Sequence, residues 1–341
     1  MFKCCFLLFT EFFSGADGAN LPNDATLKEL QARVPGVLSE ARAESTNKVY
    51  IRAYAKWKTW SHKFPEIKIL PASPEHVVLY LIFLSDCSTS FSVINIAACA
   101  IAWGHRCAGL QSPTESPLVS DVLAGLKKRL FKPRVCKEPF LLVHIHKFLT
   151  VMDTTSLTDS RNTVLIVLAF YAFLRSDELL SITFKDVKFV KTHLELYIAK
   201  AKTDQLREGR SVLVAKLEGK FCPVSIVQSY YLKAQKYSKL TDFLFRRIII
   251  QEKEAILYSK NVKITYSNLR DIVVRKVGQI GLCSKNYGTH SMRAGGSTLA
   301  ANNGVPDRLF QRHGRWASVE AKNGYIKDNT EAKLSVTKAM V

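Results

Sequence analysis

The chain predicts a mainly α fold in two domains, the second carrying a small β-hairpin or sheet. Three observations carry that prediction. Apolar residues recur at helical spacing from about residue 26 to 131, and again over most of the remainder. A basic stretch bracketed by Pro133 and Pro139 separates the two regions. Two short aliphatic runs, Leu194–Ile198 and Ser211–Val214, flank a polar segment in the second region, as in a hairpin. At 341 residues the chain is long enough to bury two cores.

The elements follow in order. Residues 1–25 open on Met1-Phe2-Lys3-Cys4-Cys5-Phe6-Leu7-Leu8-Phe9 and imitate a secretion signal. The apolar run is short, Glu11 interrupts it, and no convincing small-residue cleavage pattern follows, so a non-structural leader or a mis-called start is expected rather than secretion. Residues 26–131 read as a helical bundle. Ser45 is expected to cap a helix whose apolar positions are Val49, Tyr50, Ala53, Tyr54, Trp57 and Trp60. Ser73-Pro74 opens the next helix, a third spans about Ser92 to Gly109, and Ser116-Pro117 begins a fourth ending in Lys127-Lys128-Arg129. Residues 132–139 read as a basic linker. The second domain, 140–341, is expected to place helices at roughly 140–152, 160–174, 223–236, 266–281, 291–302, 306–313 and 318–327.

Hydrophobic content of 47% and charged content of 23% are globular values and exclude a disordered chain. The net charge of +20 attracts polyanions, of which nucleic acid is the commonest. Lys48, Arg52 and Lys56 on the first helix, with Lys127, Lys128, Arg129, Lys132 and Arg134 at the linker, are the candidate phosphate contacts. An ordinary solvated loop and a nuclear-localisation signal are the other readings of the linker charges. The eight cysteines form no CxxC pair, so neither a zinc site nor a disulfide framework is indicated, which fits a reducing compartment. No stretch is long and apolar enough to span a membrane, and no amphipathic basic helix suits a lipid surface.

The candidate site lies mostly near the C-terminus, in Thr289-His290-Ser291-Met292-Arg293, then Trp316 and Tyr325. On a helix His290 and Arg293 share a face and can address one phosphate; Thr289 is expected to cap that helix. Upstream stand Arg175, with Glu178 placed to hold its guanidinium, and Lys202 in the hairpin. Metal-free cleavage of a phosphodiester needs a nucleophile, stabilisation of added negative charge, and a proton for the leaving 5′ oxygen. A tyrosine can form a phosphotyrosyl ester. Arginines can clamp non-bridging oxygens, lysine can act as general acid, and histidine as base or donor. An indole contributes an N–H donor only. Each residue alone has a plain structural alternative, a surface ion pair or a packing ring; the specificity is in the set.

Arg175, Lys202, His290, Arg293, Trp316 and Tyr325, in this order and approximate spacing, resemble the catalytic set of the tyrosine recombinases, the phage-integrase family. Ser291-Met292-Arg293-Ala294-Gly295-Gly296-Ser297 and Gly314-Arg315-Trp316 most resemble recombinases of eukaryotic mobile elements, or genes derived from them. The resemblance is best over 140–330; residues 26–131 resemble the family's helical core-binding domain in pattern and basicity. It implies a C-shaped clamp around duplex DNA, with Tyr325 attacking the scissile phosphate to leave a 3′-phosphotyrosyl link. Arg175, Arg293, His290 and Trp316 would stabilise the transition state and Lys202 would protonate the leaving oxygen. No metal or other cofactor is implied. The partners implied are double-stranded DNA and further copies of the chain, dimer to tetramer on DNA, with Glu331–Met340 as a candidate exchanged helix. Nuclear residence is expected in a eukaryotic host, cytoplasmic otherwise. Many family members carry His where Trp316 stands; His313 lies three positions earlier, but the spacing to Tyr325 favours Trp316 and leaves His313 a structural role. Two other readings are a domesticated, catalytically silent DNA-binding protein and a type IB topoisomerase-like strand transferase.

Overall fold

The computed structural model describes residues 24–133, 136–199, 209–251, 254–328 and 330–340. The chain divides into two compact units, Met1–Arg134 and Val135–Val341.

Aromatic residues at three- and four-residue spacing organise the first unit. Its helices are α1 (Ala25–Glu40), α2 (Glu44–Ser61), α3 (Pro74–Cys87), α4 (Phe91–Cys107) and α5 (Pro117–Arg129). Tyr54, Trp57 and Trp60 of α2 are buried against Tyr80 of α3 and Trp103 of α4 in one apolar cluster. The rings of Trp57 and Trp60 lie 5.1 and 5.0 Å from that of Tyr80, a spacing at which aromatic pairs add to simple burial. His105 is fully buried, yet both ring nitrogens are satisfied: Nδ1 donates to the Ile101 carbonyl (2.8 Å) and Nε2 accepts from Ala72 N–H (2.9 Å). Burial holds its pKa below the usual histidine value, and the accepting Nε2 requires the neutral ring. Ser73 caps α3 with Pro74 in its first turn, as expected. Ser45 does not cap α2. The N-cap is Ala43, and Glu44 occupies the first position, where its charge suits the helix dipole and pairs with Lys48 at 2.6 Å. Arg52, Lys56, Lys127, Lys128, Arg129 and Lys132 are exposed and Lys48 is partly so; Arg134 lies outside the described residues.

The second unit is built around α7 (Leu157–Tyr171), buried from Ser160 to Phe170. From Val164 to Phe170 it is apolar on every side, which belongs at a core, and α6 (Leu142–Thr150), α9 (Pro223–Gln235) and α11 (Thr289–Asn302) pack against it. The short α8 (Ser176–Leu180) follows α7 directly. Next comes an antiparallel sheet in the order β1 (Val187–Phe189), β2 (His193–Ile198), β3 (Arg210–Ala215). Leu194 and Leu196 face Val214 and Val212 in register, and all four are buried, while Glu195 and Tyr197 point away from the core. The expected hairpin is β2–β3. Strand β1 and a second antiparallel pair, β4 (Ile248–Gln251) with β5 (Glu254–Leu257), were not foreseen. Helices α10 (Tyr266–Gln279), α12 (Asp307–Gly314), α13 (Val319–Asn323) and α14 (Thr330–Lys338) complete the unit. No described helix is long and apolar enough to cross a membrane.

Candidate active site

The site begins where α7 stops. Phe173 takes a left-handed backbone (φ 48°), rare for a bulky side chain and worth about 1–3 kcal/mol of strain. The turn presents its carbonyl to two guanidiniums: Arg293 donates to it through Nη1, and Arg315 through Nη2 at 3.0 Å. Helix α11 reaches this turn because it carries Gly295 and Gly296. A Cβ on Gly296 would stand 2.0 Å from the Phe170 carbonyl oxygen, and one on Gly295 2.1 Å from that of Phe140. Only the absent side chains let the backbones approach this closely.

Two residues past Phe173, Arg175 precedes α8, and Glu178 sits at that helix's third position. The buried Glu178 carboxylate accepts the Arg175 backbone N–H (2.9 Å) and Nη1 (2.9 Å), then Arg315 Nη2 (2.8 Å). Arg293 Nη1 stands 3.9 Å from it, an electrostatic contact rather than a hydrogen bond. Burial pushes the Glu178 pKa up, but Arg315, the Arg175 amide and the two guanidinium bonds outweigh it, so the carboxyl titrates below its ordinary range. Burial, and then the like charge of Arg175, draw the Arg293 pKa down; Glu178 opposes the shift and the guanidinium stays charged at neutral pH. Among the described residues three guanidiniums contact this one carboxylate, an excess of two positive charges.

Arg315 is the second left-handed non-glycine residue (φ 55°), at the end of α12. It also donates to the His313 carbonyl at 2.8 Å. The turn lets the next residue, Trp316, fold back beneath Arg293. The Arg293 guanidinium carbon stands 4.5 Å from the Trp316 ring centroid and 5.0 Å from that of Tyr325. Arg293 Nη2 donates to the Gly314 carbonyl at 2.6 Å. Trp316, Phe173 and Phe310 form a small apolar cluster with Tyr325 and Ile326 on its edge. The buried Trp316 Nε1 and Arg293 Nε have no acceptor among the described residues.

Tyr325 arrives by a lighter route. Helix α13, of 5 residues, is pinned to α12 by Lys322 Nζ donating to Asp307 (2.6 Å). It ends at Asn323, so Tyr325 lies in the segment after the helix and not on the expected 318–327 helix. Its partly exposed ring lies 5.7 Å from that of Trp316 and 6.4 Å from that of His290.

Arg175, Glu178, His290, Arg293, Trp316 and Tyr325, expected together from the sequence, thus form one chain of contacts. Arg175 pairs with Glu178, Glu178 faces Arg293, and Arg293 lies on Trp316 and Tyr325, beside which stands His290. Lys202 lies outside the described residues. Thr289 does not cap α11: Gly288 is the N-cap, Ser291 Oγ accepts its N–H (3.0 Å), and the Thr289 hydroxyl meets that of Tyr266 at 3.2 Å. His313, expected to be structural, is tied to the turn after α7. Its Nε2–H donates to the Tyr171 carbonyl at 2.8 Å, and its ring stands edge-on to Phe173 at 4.6 Å. Sequence reasoning missed Arg315. The sequence offered only its place in Gly314-Arg315-Trp316, because its partner Glu178 lies far away in the chain.

A cationic cluster built from the turn between α7 and α8, an arginine-bearing helix and a tyrosine on a late segment is the arrangement of a DNA strand-transferring recombinase of the tyrosine class. The chain belongs to the phage integrase family, whose sequence profile matches residues 143–332. It is 24% identical over 294 residues to an integrase/recombinase XerD homolog of Selenomonas ruminantium, covering 85% of this chain and 83% of that one. It is 23% identical over 324 residues to the recombinase Cre of Escherichia phage P1, covering 90% and 92%. Among solved structures, the fold is similar to the site-specific recombinase XerH bound to its palindromic difH substrate in a post-cleavage complex. That match has a TM-score of 0.60, 16% identity and coverage of 99% and 94%.

Proposed function

We propose that the protein cuts and rejoins double-stranded DNA at specific sites through a 3′-phosphotyrosyl intermediate on Tyr325. The observation that carries this reading is the convergence of Arg293, Trp316 and His290 on the Tyr325 ring, at 5.0, 5.7 and 6.4 Å. The phenolic oxygen bonds to phosphorus, the bond from phosphorus to the 5′ oxygen breaks, and Lys202 supplies that oxygen's proton. A 5′-hydroxyl from another strand reverses each change and restores the phosphodiester. A phenol is protonated at neutral pH, and His290 is the neighbouring group suited to take up its proton. The excess of two positive charges around Glu178 matches the roughly two negative charges of a pentacoordinate phosphoryl transition state. Arg175 is the partly exposed arginine of the three, and it meets the phosphate first. The orphaned Trp316 Nε1 donates to a non-bridging oxygen, relieving a buried N–H that otherwise costs about 1–3 kcal/mol.

Lys48, Arg52, Lys56 and the basic residues at 127–134 hold the duplex backbone, and copies of the chain pair on DNA. The Ser291–Ser297 motif supports an origin in a mobile element and nuclear residence in a eukaryotic host; a fluorescent fusion in that host tests the residence. The central experiment incubates nicked duplex DNA of mixed sequence with protein in EDTA and resolves it on a denaturing gel. Wild-type protein should retain label that Tyr325→Phe does not, with equal DNA affinity for both. Tight binding by wild type without any adduct would instead identify a silent DNA-binding descendant.

A further inference from the structure

Helix α11 carries His290 and Arg293 in its first turns, and Thr298 farther along. Thr298 is 8% exposed. A threonine inside a helix ordinarily turns its hydroxyl back onto the carbonyl a turn earlier. Here the single hydroxyl proton goes elsewhere. Thr298 Oγ1 donates to the Tyr325 carbonyl at 3.2 Å and accepts the Lys327 N–H at 3.1 Å. One side chain therefore bridges both ends of the Tyr325–Lys327 segment. The other backbone bonds of that segment, Tyr325 N–H to Lys322 (3.0 Å) and Ile326 N–H to Asn323 (3.2 Å), only close its own turn and fix nothing relative to α11.

We propose that Thr298 is the positioning residue that holds the Tyr325 nucleophile in register with His290 and Arg293. The inference rests on Tyr325 being the nucleophile. The helix that carries His290 and Arg293 also carries the hydroxyl that ties the Tyr325 segment, so α11 sets the distance between them. The hydroxyl acts through hydrogen bonds and not through bulk, because valine has nearly the same shape.

Two measurements on the full-length protein test this. In the first, adduct formation on the nicked mixed-sequence duplex is timed under single turnover for wild type, Thr298→Val and Thr298→Ser. Thr298→Val should slow the step on the order of 10- to 100-fold, the penalty of a small misplacement, with DNA affinity and melting temperature unchanged. Thr298→Ser should restore the rate to within about threefold of wild type. In the second, hydrogen exchange is followed in peptides spanning 320–328, where Thr298→Val, but not Thr298→Ser, should release the Lys327 amide. A valine variant as fast as wild type, or a serine variant as slow as valine, overturns the positioning role. Unchanged exchange in Thr298→Val overturns the tether itself. Wild-type protein that forms no adduct overturns the nucleophile reading, and the positioning role with it, while the exchange result still decides the tether.

Discussion

Around Glu178 three guanidiniums are fixed by one carboxylate and by the carbonyls of Ala172, Phe173, His313 and Gly314, whereas the backbone of the Tyr325 segment leaves a five-residue helix and is hydrogen-bonded to α11 through the Thr298 hydroxyl. The two halves touch, since Arg293 lies over the Tyr325 ring. Their different anchoring suits the different tasks that the proposed function gives them. Charge stabilisation works best from groups that need no rearrangement when the transition state forms, so that half is buried and multiply bonded. A tyrosine acting as the proposed nucleophile must approach phosphorus and later release it, and a segment held by few bonds can do so.

The largest expected effect falls on the cationic half. Glu178→Ala leaves Arg293 and Arg315 buried without their counter-charge and should destabilise the protein by about 3–5 kcal/mol in denaturant titration. A loss below about 1 kcal/mol would mean the carbonyls alone hold the arginines, and the contrast between the halves would fail. Arg293→Lys keeps a charge but cannot serve the Phe173 and Gly314 carbonyls together. Adduct formation should fall on the order of 10²- to 10³-fold while salt-dependent DNA binding persists. Trp316→Phe separates packing from donation: it keeps a ring under Arg293 and removes the orphaned N–H. Cleavage should slow about tenfold with the melting temperature unchanged or raised, because a buried donor without a partner is removed. A fall in stability with unchanged cleavage would make Trp316 a packing residue only.

The smallest effect is a pH dependence. Burial lowers the His313 pKa, and the nearby Arg315 and Arg293 add to the shift against the pull of the Tyr171 carbonyl. The unfolded chain therefore takes up this proton at a higher pH than the folded one. Stability from the neutral ring is present above about pH 6.5 and is lost as pH falls through the folded-state pKa. Melting temperatures between pH 7 and 5 should decline more steeply for wild type than for His313→Gln; equal slopes would place the acid sensitivity elsewhere.

Much of this was legible in the sequence because periodicity reports burial. The apolar run of α7 announced a core helix, and the alternation of Leu194, Leu196 and Ile198 announced a half-buried strand. The site set was legible through residue type and order. What escaped depends on long-range contact. Strand β1 is three residues long and acquires its extended form by pairing with β2. Strands β4 and β5 exist as each other's partner. Ser45 and Thr289 had the chemistry of caps, yet each helix starts one or two residues earlier, at Glu44 and at Thr289 itself, after Ala43 and Gly288. Arg315 and Thr298 gained roles from residues far away in the chain, Glu178 and Tyr325, which no local pattern encodes.

The two glycines of α11 have a mechanical consequence. Where Gly295 and Gly296 meet the Phe140 and Phe170 carbonyls, backbone rests on backbone, and Phe140 N–H is also bonded to the Ser291 carbonyl at 3.0 Å. Side chains cushion most helix contacts by changing rotamer; this contact has no such give. Helix α11 is therefore held backbone to backbone at a point between His290 and Thr298, and a side chain at either glycine would push those two residues away from the turn after α7 together.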